Sequence, residues 1–337
     1  MQILEKIDLI YKITIYNHLI NRKIMSKVTV IGAGNVGATC ADVLAKRNVA
    51  SDIVLIDIKE GYAEGKAMDI MQTVTLTDVG VRVKGVTNDY AATANSDVIV
   101  VTSGLARKPG MTREELIGVN AGIVKSVVKS AVEYSPNAKL IIVSNPMDPM
   151  CYLTAKISGL PKNKVLGLGG ALDSSRFKYY LSQALNANPN DVDATVLGGH
   201  GDTTMVPLVS LATYKGVPVT KILSQEKLDE VAAATKVGGA TLTGLLGTSA
   251  WYAPGAAAAS MAEAIIKDQK TLVPCGVLVE GEYGESDLVI GVPVIIGKDG
   301  WEKIVDYPLS DKEKAEFKAS ADATRSVNQI LVDGGMI

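Results

Sequence analysis

The segment Lys27-Val28-Thr29-Val30-Ile31-Gly32-Ala33-Gly34-Asn35-Val36-Gly37 decides the fold of this 337-residue chain. Its first five residues are mostly β-branched and predict a buried strand. The three glycines follow the pattern G-x-G-x-x-G, and a helical pattern continues from them to about Lys46. The apolar run 52–57 predicts the next strand. Strand, glycine-rich turn, helix and strand in this order predict a βαβ unit of a parallel sheet.

Asp57 ends the second strand, roughly 20 residues after Gly37, the spacing that a dinucleotide site requires. In such a site Gly32 permits the tight turn, Gly34 lets the backbone approach a pyrophosphate, and Gly37 allows the helix to pack closely on the strand. A carboxylate at position 57 accepts hydrogen bonds from ribose hydroxyls and repels a 2′-phosphate, which favours NAD over NADP. A flavin or nucleotide site, or a turn without a ligand, is the alternative.

The chain changes its pattern once. Strands and helices alternate over residues 26–169, which predicts a doubly wound parallel Rossmann sheet. After Ala171 helices and antiparallel strands are mixed, including an Ala-rich helical region at 226–270 that is broken near 244–254. We therefore predict an α/β fold whose Rossmann sheet is followed by a smaller α+β catalytic domain. The predicted divisions are an N-terminal extension outside the fold at 1–25, an NAD-binding domain at 26–170 and a catalytic domain at 171–337.

Composition excludes several classes of function. The formal charge is −2, and no block of Lys and Arg with interleaved aromatics indicates a nucleic-acid partner. The three cysteines are scattered, which argues against a disulfide framework or a cysteine-rich metal site and favours a reducing, cytoplasmic location. No apolar run is long enough to span a membrane. We expect no metal, because no cluster of side chains has ligand spacing.

One histidine stands out in this sequence. The chain has only two, His18 in the N-terminal extension and His200. His200 lies in Gly198-Gly199-His200-Gly201-Asp202, where glycines offer no side chains for packing. Its unperturbed pKa is near neutrality, so it is the first candidate for moving a proton. We expect Gly199 and Gly201 to let ligands approach the imidazole, and an ordinary loop histidine is the alternative.

Polar residues follow two of the predicted buried strands. Asn145 comes directly after the strand 139–143 and precedes a proline, which places its amide where ligands bind in open α/β sheets. The loop 103–113 follows the strand 97–102 and carries Arg107, Lys108 and Arg113. A loop of this kind, with glycines as hinges, can close over an anion and expel water. An Asx turn and a solvated basic loop are the respective alternatives.

Asp173 and Arg176 lie three residues apart near the start of a predicted helix, and therefore share one helix face. Asp173 is predicted to orient the ring of His200 and to favour its protonated form. Arg176 is predicted to bind a substrate carboxylate with its guanidinium fork. The alternative is a helix-capping aspartate with an ordinary surface arginine.

Five motifs occur together and in order: GAGNVG with Asp57, ARKPGMTR at 106–113, VSNP at 143–146, LDSSR at 172–176 and GGHGD at 198–202. With them the chain resembles the lactate/malate dehydrogenase superfamily, and most closely its malate dehydrogenases of the lactate-dehydrogenase-like type. The resemblance covers essentially everything after Met25. It implies an oxidoreductase of the tricarboxylic acid cycle that uses NAD to oxidise (S)-malate, and a cytoplasmic homodimer or homotetramer.

The resemblance also implies a role for each motif residue. His200 would accept the substrate proton with Asp173 as its partner, Arg113 would polarise the carbonyl, and Arg176 would hold the adjacent carboxylate. Arg107, where lactate dehydrogenases have glutamine, would bind the second carboxylate, and Asn145 would contact substrate. The Ser249–Ala250 region resembles a substrate-side segment of the family. The residues implied for cofactor binding are Gly32, Ala33, Gly34, Asn35, Val36, Gly37, Asp57, Asn120, Val143, Ser144 and Asn145.

Three other functions stay open on the sequence. Lactate dehydrogenase, or another 2-hydroxy acid dehydrogenase of the same superfamily, differs in its preference for pyruvate over oxaloacetate. An NAD-dependent glycoside hydrolase would need a metal site, and its activity would be lost with a chelator. A non-catalytic NAD-binding protein would have no use for the pair Asp173 and His200.

Overall fold

A computed structural model describes residues 26–105 and 112–337. The predicted extension 1–25 lies outside the described residues, as does Arg107. The strands are β1 Lys27–Ile31, β2 Asp52–Asp57, β3 Arg82–Thr87, β4 Val98–Val101, β5 Lys139–Ile142, β6 Val165–Gly167, β7 Val192–Asp193, β8 Val196–Gly198, β9 Met205–Pro207, β10 Thr213–Tyr214, β11 Val217–Pro218, β12 Thr271–Glu280, β13 Ser286–Gly297 and β14 Gly300–Ile304.

The longer helices of the described residues alternate with these strands in the first half and lie between strand groups in the second. They are α1 Asn35–Lys46, α2 Tyr62–Val74, α3 Arg113–Tyr134, α4 Met147–Ile157, α5 Gly169–Leu185, α6 Gln225–Leu246, α7 Tyr252–Ile266 and α8 Asp311–Asp333. Short 3₁₀ turns complete the connections.

The first six strands form a parallel sheet in the order β3-β2-β1-β4-β5-β6. The order reverses between β1 and β4, which is the arrangement of a doubly wound Rossmann sheet and confirms the predicted fold class. Strand residues such as Ile99, Val100 and Ile141 are fully buried because helices cover both faces of the sheet. The carboxyl ends of β1, β4 and β5 therefore meet at one edge, where the crevice for a ligand lies.

The second half extends this sheet with antiparallel strands. β12 pairs with β6 at Gly276 and Gly167, and the order continues β12-β13-β8-β9. β14 pairs with β13, and β7, β10 and β11 form a separate three-stranded sheet. Mixed helices and antiparallel strands confirm the α+β character predicted for this half. The domain boundary at 170/171 stays a prediction, and α5 runs across it.

One predicted helix start was wrong by a few residues, and one strand was missed. α5 begins at Gly169 and not at Asp173, so Asp173 is the fifth residue of the helix and does not cap it. The fourteenth strand, Gly300–Ile304, was not predicted, because its short sequence Gly-Trp-Glu-Lys-Ile has weak alternation. Within the described residues, no helix is both long enough and apolar enough to cross a membrane.

Candidate active site

A cavity of about 610 Å³ opens at the carboxyl edge of the parallel sheet. Its lining includes Val36 from the glycine-rich turn, Asn145 after β5, Arg176 on α5 and His200 after β8. The segment 247–250, which joins α6 to α7, closes another side. Val36, Asn145, Arg176 and His200 therefore face one common space. The glycines of the first turn, Asp57, Asn120 and Asp173 do not line it.

The glycine-rich turn has the shape that a pyrophosphate needs. Gly32 has a φ of 105°, a conformation that side-chain-bearing residues rarely adopt. At Gly34, which is exposed, an added Cβ would meet nothing within 4 Å, so the backbone is open to a ligand. At Gly37 a Cβ would lie 1.8 Å from the carbonyl oxygen of Gly32. Helix α1 begins at Asn35, and its N-terminus favours an anion.

Asp57 supports this turn directly. Its Oδ2 accepts a hydrogen bond from the backbone N–H of Ala33 at 2.7 Å, and its Oδ1 accepts one from Lys59 at 3.0 Å. A carboxylate has about four lone-pair sites, so two remain for ribose hydroxyls. The side chain is partly exposed beside the turn. Turn, helix terminus and acid together fit NAD.

Asn145 lines the cavity directly after β5. The Asn145–Pro146 peptide bond is cis, and Asn145 itself is exposed. Before it, Val143 and Ser144 are buried at the end of β5, and the Ser144 hydroxyl donates to the carbonyl oxygen of Ser103 at 2.5 Å. Val143 and Ser144 both contribute to the cavity wall.

Asn120 is buried and hydrogen-bonds to two backbone segments beside the cavity. It is 1 % exposed, and its amide nitrogen donates to the carbonyl oxygens of Leu105 and Asn145 at 3.1 and 2.6 Å. Its Oδ1 accepts from the backbone N–H of Leu105 at 2.8 Å. In this arrangement Asn120 braces two backbone segments of the cavity, and it has no free N–H with which to reach a cofactor. A direct contact of Asn120 with NAD stays a prediction.

Asp173 connects the two predicted reactive side chains. Its Oδ2 lies 2.7 Å from Nδ1 of His200, and its Oδ1 accepts from Nη1 of Arg176 at 3.2 Å. Asp173 is 1 % exposed, so both interactions are sheltered from water. Because a carboxylate only accepts hydrogen bonds, Nδ1 carries the proton and Nε2 of the neutral ring has a free lone pair.

Several charges act on the His200 imidazole. Burial by itself lowers the pKa of His200, but the charge and hydrogen bond of Asp173, together with the charge of Asp148, outweigh it, while Arg176 opposes them. The net effect is a pKa raised above its ordinary value. The ring is therefore suited to exchange a proton near neutral pH.

The glycines around His200 serve packing. A Cβ on Gly199 would lie 2.7 Å from the hydroxyl oxygen of Thr324, and one on Gly201 would lie 3.0 Å from that of Thr204. A Cβ at either position would therefore meet a threonine, and Gly201 also lines the cavity beside His200. That these glycines let ligands approach the imidazole stays a prediction.

Arg176 is a cation with spare capacity. Its side chain is 13 % exposed, and its Nε is buried without a hydrogen-bond partner among the described residues. A buried donor without a partner is costly, and a substrate carboxylate would satisfy it. Arg107 lies outside the described residues, and Arg113 is the first residue of α3, with its side chain outside them.

Two family models match consecutive parts of this chain. Residues 26–167 match lactate/malate dehydrogenase, NAD binding domain, and residues 170–329 match lactate/malate dehydrogenase, alpha/beta C-terminal domain. The chain belongs to the lactate/malate dehydrogenase family. The predicted family and NAD as the cofactor of this dehydrogenase are thereby confirmed.

Relatives of this dehydrogenase are similar along nearly their whole length. Malate dehydrogenase of Bacteroides thetaiotaomicron is 66% identical over 313 residues, which cover 93% of this chain and 100% of the relative. The solved malate dehydrogenase of Salinibacter ruber has a TM-score of 0.87 and 44% identity, covering 92% of this chain and 99% of that one. A lactate dehydrogenase of Cryptosporidium parvum, complexed with lactic acid and NAD, has a TM-score of 0.87 and 39% identity, with 91% and 98% covered.

The structure adds residues that the sequence reasoning missed. Asp148, three residues after Asn145, accepts a hydrogen bond from the backbone N–H of His200. Thr243 and Pro254 line the cavity beside Ser249 and Ala250. An acid next to the Asn-Pro motif was a visible signal for Asp148, whereas nothing in the pattern of α6 marks Thr243.

Proposed function

We propose that this dehydrogenase interconverts (S)-malate and NAD⁺ with oxaloacetate, NADH and a proton. The observation that carries the proposal is the buried contact of Asp173 with His200, beside the incompletely bonded Arg176, in a cavity that begins at the glycine-rich turn. The names of the relatives that are 62–66% identical support malate as the substrate.

In the proposed reaction His200 accepts the proton of the C2 hydroxyl of malate at Nε2. Asp173 keeps Nδ1 protonated and stabilises the imidazolium that forms. As the C2–O double bond forms, the C2–H bond breaks and its electron pair leaves with the hydrogen. Bound NAD⁺ supplies the acceptor for that hydride. In the reverse direction the imidazolium returns its proton to the carbonyl oxygen.

Arginines are proposed to bind the anionic substrate. Arg176 binds the carboxylate next to the reacting carbon, and Arg113 stabilises the oxygen on which negative charge develops. Arg107 binds the second carboxylate, the group that distinguishes malate from lactate. Support for Arg107 and Arg113 comes from their places in the family motif, and support for Arg176 from its buried, unpartnered Nε.

The cofactor is proposed to lie along the turn 32–37, with the adenosine ribose at Asp57. Val143, Ser144 and Asn145 would hold its nicotinamide end, and Asn120 would brace the backbone of Asn145 there. The open backbone at Gly34 and the exposed Asn145 support this path.

The test is direct. Purified full-length protein is mixed with NAD⁺ and (S)-malate, and NADH formation is followed by its absorbance. We expect turnover with (S)-malate and little with (R)-malate, because the hydroxyl must face His200 while Arg176 holds the carboxylate. Absence of turnover in both directions would overturn the proposal.

Lactate is the second candidate, since a lactate dehydrogenase is among the similar solved structures. The variant Arg107→Gln tests whether Arg107 selects oxaloacetate over pyruvate, which we call the selector role. We expect kcat/KM for oxaloacetate to fall by roughly 10²-fold, because a desolvated carboxylate loses its counter-charge, while kcat/KM for pyruvate stays level or rises. Arg82→Gln, an exposed arginine paired with Asp52, is the control. Equal losses on both substrates would remove Arg107 as the selector.

Asp57 is proposed to set the choice of NAD over NADP. In Asp57→Asn the side-chain oxygen still accepts a hydrogen bond from the turn, but the charge that repels a 2′-phosphate is gone. We expect the ratio of kcat/KM for NADP⁺ to that for NAD⁺ to rise about tenfold. Asp52→Asn, at the other end of β2, is the control. A ratio unchanged from wild type would exclude this role.

We further propose a cytoplasmic homodimer or homotetramer in the tricarboxylic acid cycle. Exposed Tyr252 and Ala253 on the Ala-rich α7 support a contact between subunits. A native mass measurement of the full chain gives the number of subunits, and a monomeric mass would contradict the assembly.

A further inference from the structure

We infer that Asp148 is a positioning residue for His200: its carboxylate holds the backbone of the histidine and places a second negative charge beside the imidazole. The inference deepens the proposed function, since it rests on His200 as the proton acceptor. Neither the five sequence motifs nor the proposed mechanism uses Asp148.

The contact itself is short and buried. Oδ2 of Asp148 accepts the backbone N–H of His200 at 2.7 Å, and Asp148 is 7 % exposed. A hydrogen bond to an ionised acceptor in such surroundings is about twice as strong as a neutral one. The neighbouring N–H of Gly199 donates to the hydroxyl oxygen of Ser320 on α8 at 2.9 Å. Two successive N–H groups of the glycine-rich segment are thus held by side chains of two different helices.

The segment is also held at its two ends, where Gly198 pairs with Gly291 and Met205 and the Gly201 carbonyl oxygen accepts from Thr204, so the Asp148 contact fixes the residue between them. Gly198, Gly199 and Gly201 surround the histidine, and glycine backbones are the most costly to hold in one conformation. Asp148 is the second residue of α4, which follows Asn145 and the cis peptide directly. One helix start therefore fixes His200 relative to Asn145, the residue proposed to contact nicotinamide and substrate.

The charge of Asp148 acts together with those around it. The charged groups acting on the imidazole are Asp173 and Arg176 on α5 and Asp148 on α4, and the two acids raise the pKa of His200 against burial and Arg176. Asp148 lies in the first turn of α4, where the helix dipole is favourable to a negative charge. Removing this one charge leaves the Asp173 contact intact, so the two acids can be separated by experiment.

The experiment combines two variants with an NMR titration of His200 in the full chain. Only two histidines are present, so His200→Asn assigns the remaining imidazole signal to His18. In Asp148→Asn an acceptor oxygen remains and the charge is lost. We expect the pKa of His200 to fall, because one of the charges that raise it is removed, with kcat at high pH little changed. In Asp148→Ala the anchor is lost too, and we expect kcat to fall roughly 10- to 100-fold further with NAD binding unchanged.

Glu313→Gln is the matched control, because Glu313 is also a buried carboxylate at a helix start but bonds to Ser210 and Ser310. Circular dichroism verifies that each variant is folded. If Asp148→Ala unfolds, Asp148→Glu replaces it. We expect Asp148→Glu to lower kcat, because its carboxylate is shifted relative to the His200 N–H. If the pKa of His200 is unchanged in Asp148→Asn, the charge of Asp148 does not act on the imidazole. If kcat is the same in Asp148→Asn as in Asp148→Ala or Asp148→Glu, the carboxylate does not position His200. The titration needs no substrate, so a wild type that does not oxidise malate would instead refute the proposed function.

Discussion

His200→Asn is expected to lower kcat for malate oxidation by about 10²- to 10⁴-fold, the range that a positioned general base contributes. Asparagine is close in shape, and its amide N–H can still donate to Asp173. It has no lone pair that takes a proton near neutral pH, so only the acceptor is lost. Steady-state rates measure the loss, and NADH fluorescence titration verifies that cofactor binding is unchanged, because His200 lies beyond the glycine-rich turn.

Asp173→Asn provides the companion measurement. An amide in place of the carboxylate no longer stabilises the imidazolium, and it can present an N–H to Nδ1 and so favour the wrong tautomer. We expect Asp173→Asn alone to have a much lower kcat for malate oxidation. The double variant with His200→Asn should have a kcat hardly lower than that of His200→Asn, because the two residues act as one unit. A His200→Asn variant with more than about a tenth of wild-type kcat would contradict the proposed role.

Arg176→Gln is expected to lower kcat/KM for malate by about 10³-fold. The guanidinium is buried beside Asp173, so a substrate carboxylate that enters this space without it would be a desolvated charge, costing about 3–5 kcal/mol. Arg176→Lys should recover only part of the loss, since an ammonium lacks the planar fork. Arg47→Gln is the control, because Arg47 is a partly exposed arginine bonded to Ser260 and Glu263.

Arg176 also makes a prediction about pH. Malate oxidation needs the neutral imidazole, so kcat/KM falls as the pH drops through the pKa of His200. Arg176 lowers this pKa, so in Arg176→Gln the acidic limb should move to higher pH. Loss of Asp148 or Asp173 should move it to lower pH. A limb that moves the same way in all three variants would show that the charges around His200 do not set its titration.

Much of the fold could be predicted from local pattern. The parallel strands are continuous apolar runs, and the first turn has the glycines and the following acid of a dinucleotide site. The βαβ units could therefore be predicted without a structure. The start of α5 was not, because Gly169 and Gly170 are poor helix formers and Asp173 looks like a cap. Tertiary packing extends the helix to residues with low helix propensity. Asp173 is thereby buried within the helix, where both His200 and Arg176 reach it.

The active site, like the fold, could be predicted only in part. Residues in motifs could be named from sequence, but their partners depend on contacts between distant segments. His200 and Asp148 are 52 positions apart, and only the approach of α4 to the end of β8 brings them together. The reason for Gly199 was also hidden, because Thr324, which needs the space, lies on the last helix.

The choice of malate as substrate is tested by comparing two keto acids. With NADH at a fixed saturating concentration, kcat/KM is measured for oxaloacetate and for pyruvate on the wild-type protein. We expect a preference for oxaloacetate of roughly 10²-fold or more, because a second carboxylate meets a counter-charge that pyruvate leaves unpaired. A preference for pyruvate would contradict it.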